Sequence, residues 1–370
     1  MADAAFRVLT EHVDMFTPDD RTDRPALGAV HGVRGTLLVE GGASAAHLRA
    51  FLDELEHRGR PPAIALALTH WHWDHSFGAS AAGVPVIAHP DSAAELRRQA
   101  AYDWSDEALD ARVAEGLELA FCRDMLKLEL PDRSGLRIAI PDVLVADRHA
   151  VDLGGVSAEI RYVGGDHAPD SLVVYVPSDR VLFLGDCLYQ RLHSPVEHLT
   201  VAGVRGLMDR LAGLDVAVAV EGHNDEPWDA AGFDARLREL RTAADMVERY
   251  GTSAAEHTGG GADLDGLVGL LLAGEEAPAA GRRPGPAVST WCPCPSTRRR
   301  STLWPLRRMV VQSTTTAGAA RSAAATIAAS LPPAARAITG MPRSSSTARR
   351  TDSGRVWRSS GHGTSRHGVP

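Results

Sequence analysis

The feature that most constrains this chain is the segment Thr69–His75 (THWHWDH), which directly follows the apolar run Pro62–Leu68 (PAIALAL). A short apolar run of this kind makes a buried strand. His70 and His72 stand at i and i+2 with Asp74 at i+4, so in an extended segment they project toward one side, while His75 faces another direction. A loop at a strand end can thus offer ligands to two neighbouring metal ions. Imidazole and carboxylate together suit zinc, and also iron or manganese.

Three later segments add polar groups at strand ends. GGDHAPDS (164–171) carries His167 in a glycine-rich turn, FLGDCLY (183–189) carries Asp186, and VEGH (220–223) carries His223. Taken singly, each has a bland reading as a loop residue, a turn acid or a neighbour of a helix cap. With the first cluster they make a set of seven.

The body around these residues alternates strand-like and helix-like runs. Arg34–Gly41 reads as a strand, and Ser44–His57 as an amphipathic helix with Leu48, Phe51, Leu52 and Leu55 on one stripe. Pro85–Ala88 reads as a strand, and Asp91–Tyr102 as a helix capped by its Asp. Leu172–Pro177 and Val181–Leu184 form a hairpin about Ser-Asp-Arg. Helices follow at Val204–Leu214, Asp229–Tyr250 and Leu264–Leu272, with a strand at Val216–Val220. Strands and helices interleave without a strict βαβ repeat, which favours two sheets covered by helices over one doubly wound parallel sheet.

Charge divides the chain. Residues 281–370 hold 15 Arg, no Lys and one acid, Asp352, whereas the first 280 residues carry 24 basic against 46 acidic side chains. An acidic body disfavours nucleic acid as a partner. In the last 90 residues, 69 are Ala, Gly, Pro, Ser, Thr or Arg, with no apolar period to follow. Residues 279–370 are therefore expected to be a disordered tail or a frame-shift product. The chain has one Lys (Lys127) against 38 Arg, as GC-rich coding DNA gives, and a shifted frame of such DNA yields this composition. Two other readings stand beside it: a solvated arm without a role, and a basic arm that grips anionic surfaces. Cys292 and Cys294 lack further ligands nearby and stay unassigned. Four cysteines, no run of 18 apolar residues and no basic-then-apolar leader lead us to expect a cytoplasmic protein that does not enter a membrane.

HxHxDH followed by H, GD and GH, in this order over about residues 25–250, resembles the metallo-β-lactamase fold hydrolases. The resemblance implies a four-layer αββα sandwich (α+β) over residues 1–278. It also implies two metal ions, Zn²⁺ by preference with Fe or Mn possible. His70, His72 and His167 would hold one ion, Asp74, His75 and His223 the other, and Asp186 would bridge both. Two such ions make hydroxide available near neutral pH and polarise a carbonyl, so no Ser or Cys nucleophile is needed. Asp74 would both ligate and orient the nucleophile.

Within the superfamily, Asp186 and the absence of a visible leader count against β-lactamases. Cys187 reads as a small buried hydrophobe on the far side of its strand. Glyoxalase II-like thioesterases carry an aromatic three residues after the Asp, as Tyr189 does here. Lactonases place a tyrosine there, so Tyr189 is the candidate donor to the developing oxyanion. The expected function is hydrolysis of a small-molecule ester, lactone or thioester. The alternatives are a mononuclear iron persulfide dioxygenase, a β-lactamase-type amide hydrolase and a metal-bound protein without catalysis. The long span from His75 to His167 marks about 101–144 as an insertion over the site. It reads as scaffold, a lid or a homodimer surface, and Trp71 and Trp73 as an apolar wall beside the metals.

Overall fold

The computed structural model describes residues 5–259 and 262–277. The tail reading, with Cys292 and Cys294, lies outside them. The chain opens with β1 (Phe6–Val8), β2 (Val13–Phe16), β3 (Leu27–Gly32) and β4 (Gly35–Val39). Then come α1 (Ala45–His57), β5 (Ala63–Ala67), the one-turn α2 (Trp73–Ser76), β6 (Val86–Ala88) and α3 (Pro90–Gln99). The insertion supplies α4 (Asp106–Ala114), α5 (Ala120–Glu129) and β7 (Val143–Leu144). A second sheet follows as β8 (Arg148–Asp152), β9 (Ser157–Tyr162), β10 (Leu172–Val176) and β11 (Val181–Gly185). After α6 (Val201–Leu211), β12 (Val218–Glu221) and β13 (Trp228–Asp229) complete it, and α7 (Ala230–Tyr250) and α8 (Ala262–Glu276) close the body.

Strand alternation builds the layers. In β4, Leu37 enters a core shared with Val174 and Phe183 of the second sheet, whereas its neighbour Leu38 turns outward to Leu48 and Phe51 of α1. In β11, Val181 and Phe183 face the first sheet, and Leu182 and Leu184 face Leu207 of α6, Leu240 of α7 and Leu271 of α8. Helix, sheet, sheet and helix are thus stacked about three apolar cores, giving the expected αββα sandwich. The stripe of α1 is buried at Leu48, Phe51 and Leu55, and Ser44 caps the helix by accepting from the His47 N–H. Such a cap is worth about 1 kcal/mol.

The seven-stranded sheet runs β1 to β7 in sequence order, and β4 to β7 pair in parallel. In the six-stranded sheet β11 and β12 are parallel neighbours. The carboxyl ends of β4, β5, β11 and β12 therefore meet where the two sheets come together. There the Leu172 N–H donates to the Thr69 carbonyl at 2.7 Å and the Ala26 N–H to the Gly222 carbonyl at 2.7 Å. Among the described residues, no helix is long and apolar enough to cross a membrane.

Several expectations are corrected. Asp91 does not cap α3: His89 does, its Nδ1 accepting from the Asp91 N–H at 3.2 Å, with Pro90 in the first turn. α6 begins at Val201 because the Thr200 side chain caps Gly203. Asp74 reaches its place on the helical turn α2 rather than on an extended segment. Strands β1 to β3, β8 and β9 escaped the sequence reading. Gly, Asp and His interrupt the first group, and four of the five residues of β8 are exposed.

Candidate metal centre

Each sequence-predicted ligand sits just past a strand end. His70 and His72 follow β5, Asp74 and His75 lie on α2, His167 lies in the turn before β10, Asp186 follows β11 and His223 follows β12. The fold brings all seven together. The ligand atoms of His70, His72 and His167 lie within 4.8 Å of one another, as do those of Asp74, His75, Asp186 and His223. Asp186 lies between the two groups. Its Oδ2 stands 3.4 Å from His167 Nε2 and 4.0 Å from His70 Nε2 on one side, and 3.3 Å from His75 Nε2 and 3.6 Å from His223 Nε2 on the other. Asp74 Oδ2 approaches His75 Nε2 at 3.0 Å and His223 Nε2 at 3.2 Å.

Two glycines make this approach possible. A Cβ at Gly222 would collide with Asp186 Oδ1, and one at Gly185, whose φ of +53° already favours glycine, would collide with Thr69 Oγ1.

A layer the sequence reading missed orients the ligands. Glu40, buried past the end of β4, accepts from His75 Nδ1 at 3.1 Å, from the Thr69 N–H at 3.2 Å and from the Thr69 hydroxyl. Thr69 Oγ1 in turn lies 3.0 Å from His70 Nδ1, and the Gln190 carbonyl lies 3.0 Å from His167 Nδ1. These contacts occupy one ring nitrogen of each of three histidines and leave Nε2 aimed inward, the arrangement that fixes a metal-binding tautomer. The signal for Glu40 was present: an acid ending the apolar run GTLLVE. Asp23 was also missed. It holds a left-handed backbone (φ 57°), with Oδ1 3.7 Å from His223 Nδ1. Burial, with Asp74 nearby, pushes its carboxyl up to about 7.

Electrostatics differ between the groups. Burial, and then the charges of neighbouring histidines, hold His70 and His72 well below the usual imidazole range. Burial likewise lowers His167, against the pull of Asp186. In the second group burial opposes a proton on His75, but the carboxylates of Asp186, Asp74 and Glu40 outweigh it and raise the ring well above its ordinary value. His223 is raised to about 9 by Asp186 and Asp74, again against burial.

The residues fit metal ions. His70 Nε2 and Asp186 Oδ1 are buried without a hydrogen-bond partner, which is costly unless something else satisfies them. The donor set of imidazole and carboxylate is that of zinc, iron or manganese.

Beside the ligands lies a cavity of about 200 Å³. Trp71, Trp73, Trp104, Phe121 and Leu192 supply its apolar wall, and Trp104 and Phe121 come from the insertion, which therefore helps to shape the pocket. Trp73 also packs in a core with Phe77, Leu109 and Leu126. The Tyr189 ring joins the wall 6.0 Å from His167 and 6.4 Å from His223, centroid to centroid. Burial, with Glu221 and Asp186 close, pushes its phenol well up, so it stays protonated. Cys187 is buried among Leu184, Leu188 and Leu199, as expected of a small hydrophobe.

Comparison with known proteins agrees with this geometry. The family model of the metallo-beta-lactamase superfamily matches residues 28–223. An (R)-specific secondary-alkylsulfatase from Pseudomonas sp. is 27% identical over 184 residues, which are 45% of this chain and 27% of that protein. The solved stereoselective inverting sec-alkylsulfatase from Pseudomonas sp. superposes with a TM-score of 0.50 at 18% identity, covering 66% of this chain and 42% of the other. A metallo-beta-lactamase from Pontibacter korlensis gives a TM-score of 0.43 at 20% identity, covering 64% and 98% respectively. The chain thus spans less than half the length of the alkylsulfatases it matches. Since the matched stretch is more than half of this chain and holds every residue of the seven-membered cluster, the chain belongs to the metallo-beta-lactamase superfamily.

Proposed function

We propose that this chain is a metal-dependent hydrolase that cleaves neutral small-molecule esters, lactones or thioesters. The observation that carries the reading is Asp186 Oδ2, which stands within 4.0 Å of histidine nitrogens from both ligand groups. On this reading His70, His72 and His167 hold one ion, Asp74, His75 and His223 hold the second, and Asp186 belongs to both. When bound, such a pair supplies activation of water near neutral pH and polarisation of the scissile carbonyl. Asp74 uses Oδ2 toward His75 and His223, and its other oxygen orients the attacking water. The Tyr189 phenol, hydrogen-bonded to the Glu221 carboxyl before substrate arrives, donates on this reading to the oxygen on which charge develops. The tryptophan wall excludes bulk water and packs the apolar part of the substrate.

The charge of the cavity narrows the substrate class. Among the described residues, no Lys or Arg lines it, and outside the ligand set its acids are Asp23 and Glu118. A substrate with an anionic group beside the scissile bond, such as a sulfate ester or a glutathione thioester, would find no Lys or Arg in the cavity wall to pair with it outside the ligand set. A volume of about 200 Å³ also favours a small molecule. A panel of γ- and δ-lactones, neutral aryl and alkyl esters, neutral thioesters, secondary alkyl sulfates and glutathione thioesters tests this. Turnover is expected on the neutral carbonyl compounds. Faster turnover of an alkyl sulfate would overturn the substrate class, and no turnover of any compound by metal-replete protein would overturn the hydrolase reading.

A further inference from the structure

A second set of metal-type donors lines the same cavity outside the seven residues above. Glu118, Cys122 and His193 bring a carboxylate oxygen, a sulfur and an imidazole nitrogen within 4.8 Å of one another. They come from different parts of the chain. Glu118 lies in the turn between α4 and α5, Cys122 one helical turn later in the first turn of α5, and His193 in the stretch between β11 and α6. All three line the cavity. We propose that Glu118, Cys122 and His193 form a third cation site, for a borderline-soft divalent ion such as Zn²⁺ or Cd²⁺, that pins α5 to the 190–199 stretch and inhibits by narrowing the pocket.

The donor set has zinc chemistry: one thiolate, one imidazole and one carboxylate, with room for water as a fourth ligand. Around a tetrahedral zinc, ligand distances of about 2.0–2.3 Å place the ligand atoms about 3.5 Å apart, so separations of at most 4.8 Å tighten by no more than about 1.3 Å. His193 is exposed and can supply that movement, and its ring lies beside Trp71 and His72 at centroid distances of 5.9 and 5.3 Å. Glu118 Oε1 accepts from the Leu119 N–H at 3.0 Å, which holds the carboxylate near the helix start.

Local charge supports the geometry. Burial pushes the Cys122 thiol up, and the acids Glu118, Asp74 and Asp23 add to it. Burial raises the Glu118 carboxyl as well, and Arg112 offsets this only in part. Burial in an acidic cavity disfavours the charged forms of both groups, and a bound cation would favour the thiolate and the carboxylate. On binding, the sulfur–metal bond forms, the S–H bond breaks, and the thiol proton leaves to solvent.

The site is independent of the two-ion reading, and the test separates them. Metal-stripped full-length protein is titrated with Cd²⁺ while the thiolate-to-metal charge-transfer absorbance and the number of bound ions are followed. Wild type is compared with Cys122→Ser and His193→Ala. The expected result is one ion fewer in Cys122→Ser, with a wild-type-minus-variant difference band that saturates at one equivalent. Any band from Cys292 or Cys294 cancels in that difference. His193→Ala, an exposed substitution that spares the core, is expected to keep the band but weaken it by roughly 10–100-fold in affinity. Equal stoichiometry and equal absorbance in wild type and Cys122→Ser would overturn the site. Binding at Cys122 without loss of turnover at excess Zn²⁺ would overturn the inhibitory role. The ions retained by Cys122→Ser report on the seven-residue centre alone.

Discussion

Glu40→Gln separates a ligand-orienting carboxylate from a merely buried one. Glu40 Oε1 accepts from His75 Nδ1 and from the Thr69 hydroxyl, and Oε2 accepts from the Thr69 N–H at 3.2 Å. A glutamine has one acceptor oxygen for these two places. If its carbonyl takes the Oε1 position, its NH₂ faces the Thr69 N–H, donor against donor. If the carbonyl takes the Oε2 position, the NH₂ faces His75 Nδ1 and drives the ring proton to Nε2, the nitrogen that faces Asp74 and Asp186 at 3.0 and 3.3 Å. Either outcome damages the group containing His75. Removing such an orienting partner typically costs 10–100-fold in metal affinity, or about 1.4–2.7 kcal/mol. Competition with a chromophoric chelator measures it. The expected result is one ion released at a chelator strength that leaves wild type fully loaded, with the ion of His70, His72 and His167 the more firmly held. Unchanged affinity for both ions, in a variant with a native melting curve, would show that Glu40 does not set the His75 tautomer.

Three further outcomes are expected. Asp186→Ala should lower metal content and turnover together; an active, fully loaded variant would remove Asp186 from the shared position. Tyr189→Phe should lower kcat by about 10²-fold with little change in KM, the usual cost of one oxyanion donor, and an unchanged kcat would reduce Tyr189 to a wall residue. Asp170, buried and bonded to the Ser92 hydroxyl at 2.5 Å, is raised by burial to about 6 from an ordinary 3.8. The folded chain therefore holds the proton that the unfolded chain releases, and stability falls as pH rises from about 4 to 6 and levels off above. Asp170→Asn should remove that loss, gaining on wild type by about 3 kcal/mol across the window in urea melts; a constant difference at all pH would refute the assignment.

Much of this was legible in the sequence because the chemistry is carried by short motifs at strand ends. HWHWDH could be read without knowing the fold, since local geometry already aims its side chains, even though α2 rather than an extended strand delivers Asp74. The sandwich followed from apolar runs such as PAIALAL and from the α1 stripe. What escaped depends on partners distant in sequence. Nothing local ties Glu40 to His75, 35 positions away, or Asp23 to His223. The interrupted strands β2 and β3 are held by their neighbours in the sheet rather than by propensity of their own. Composition left the insertion open as scaffold, lid or homodimer surface, because only the folded chain brings Trp104, Phe121 and Cys122 to the cavity wall.

The tail allows a simple dissection. Leu267, Val268 and Leu271 of α8 are buried in the core beneath the second sheet. A chain ending at residue 278 is expected to fold and bind metal. One ending at residue 260 loses three buried side chains worth about 1.5–3 kcal/mol each and should melt far lower. Equal melting temperatures for the two would contradict the role given to α8.

The measurement that bears most directly on the account is metal content per chain. Full-length protein would be loaded with zinc, dialysed against a weak chelator to clear sites outside the seven-residue centre, and analysed by plasma mass spectrometry beside Cys122→Ser. The account predicts about two ions in both proteins, falling to one or fewer in Asp186→Ala. One ion per chain that survives in Asp186→Ala, or none in replete wild type, would contradict it.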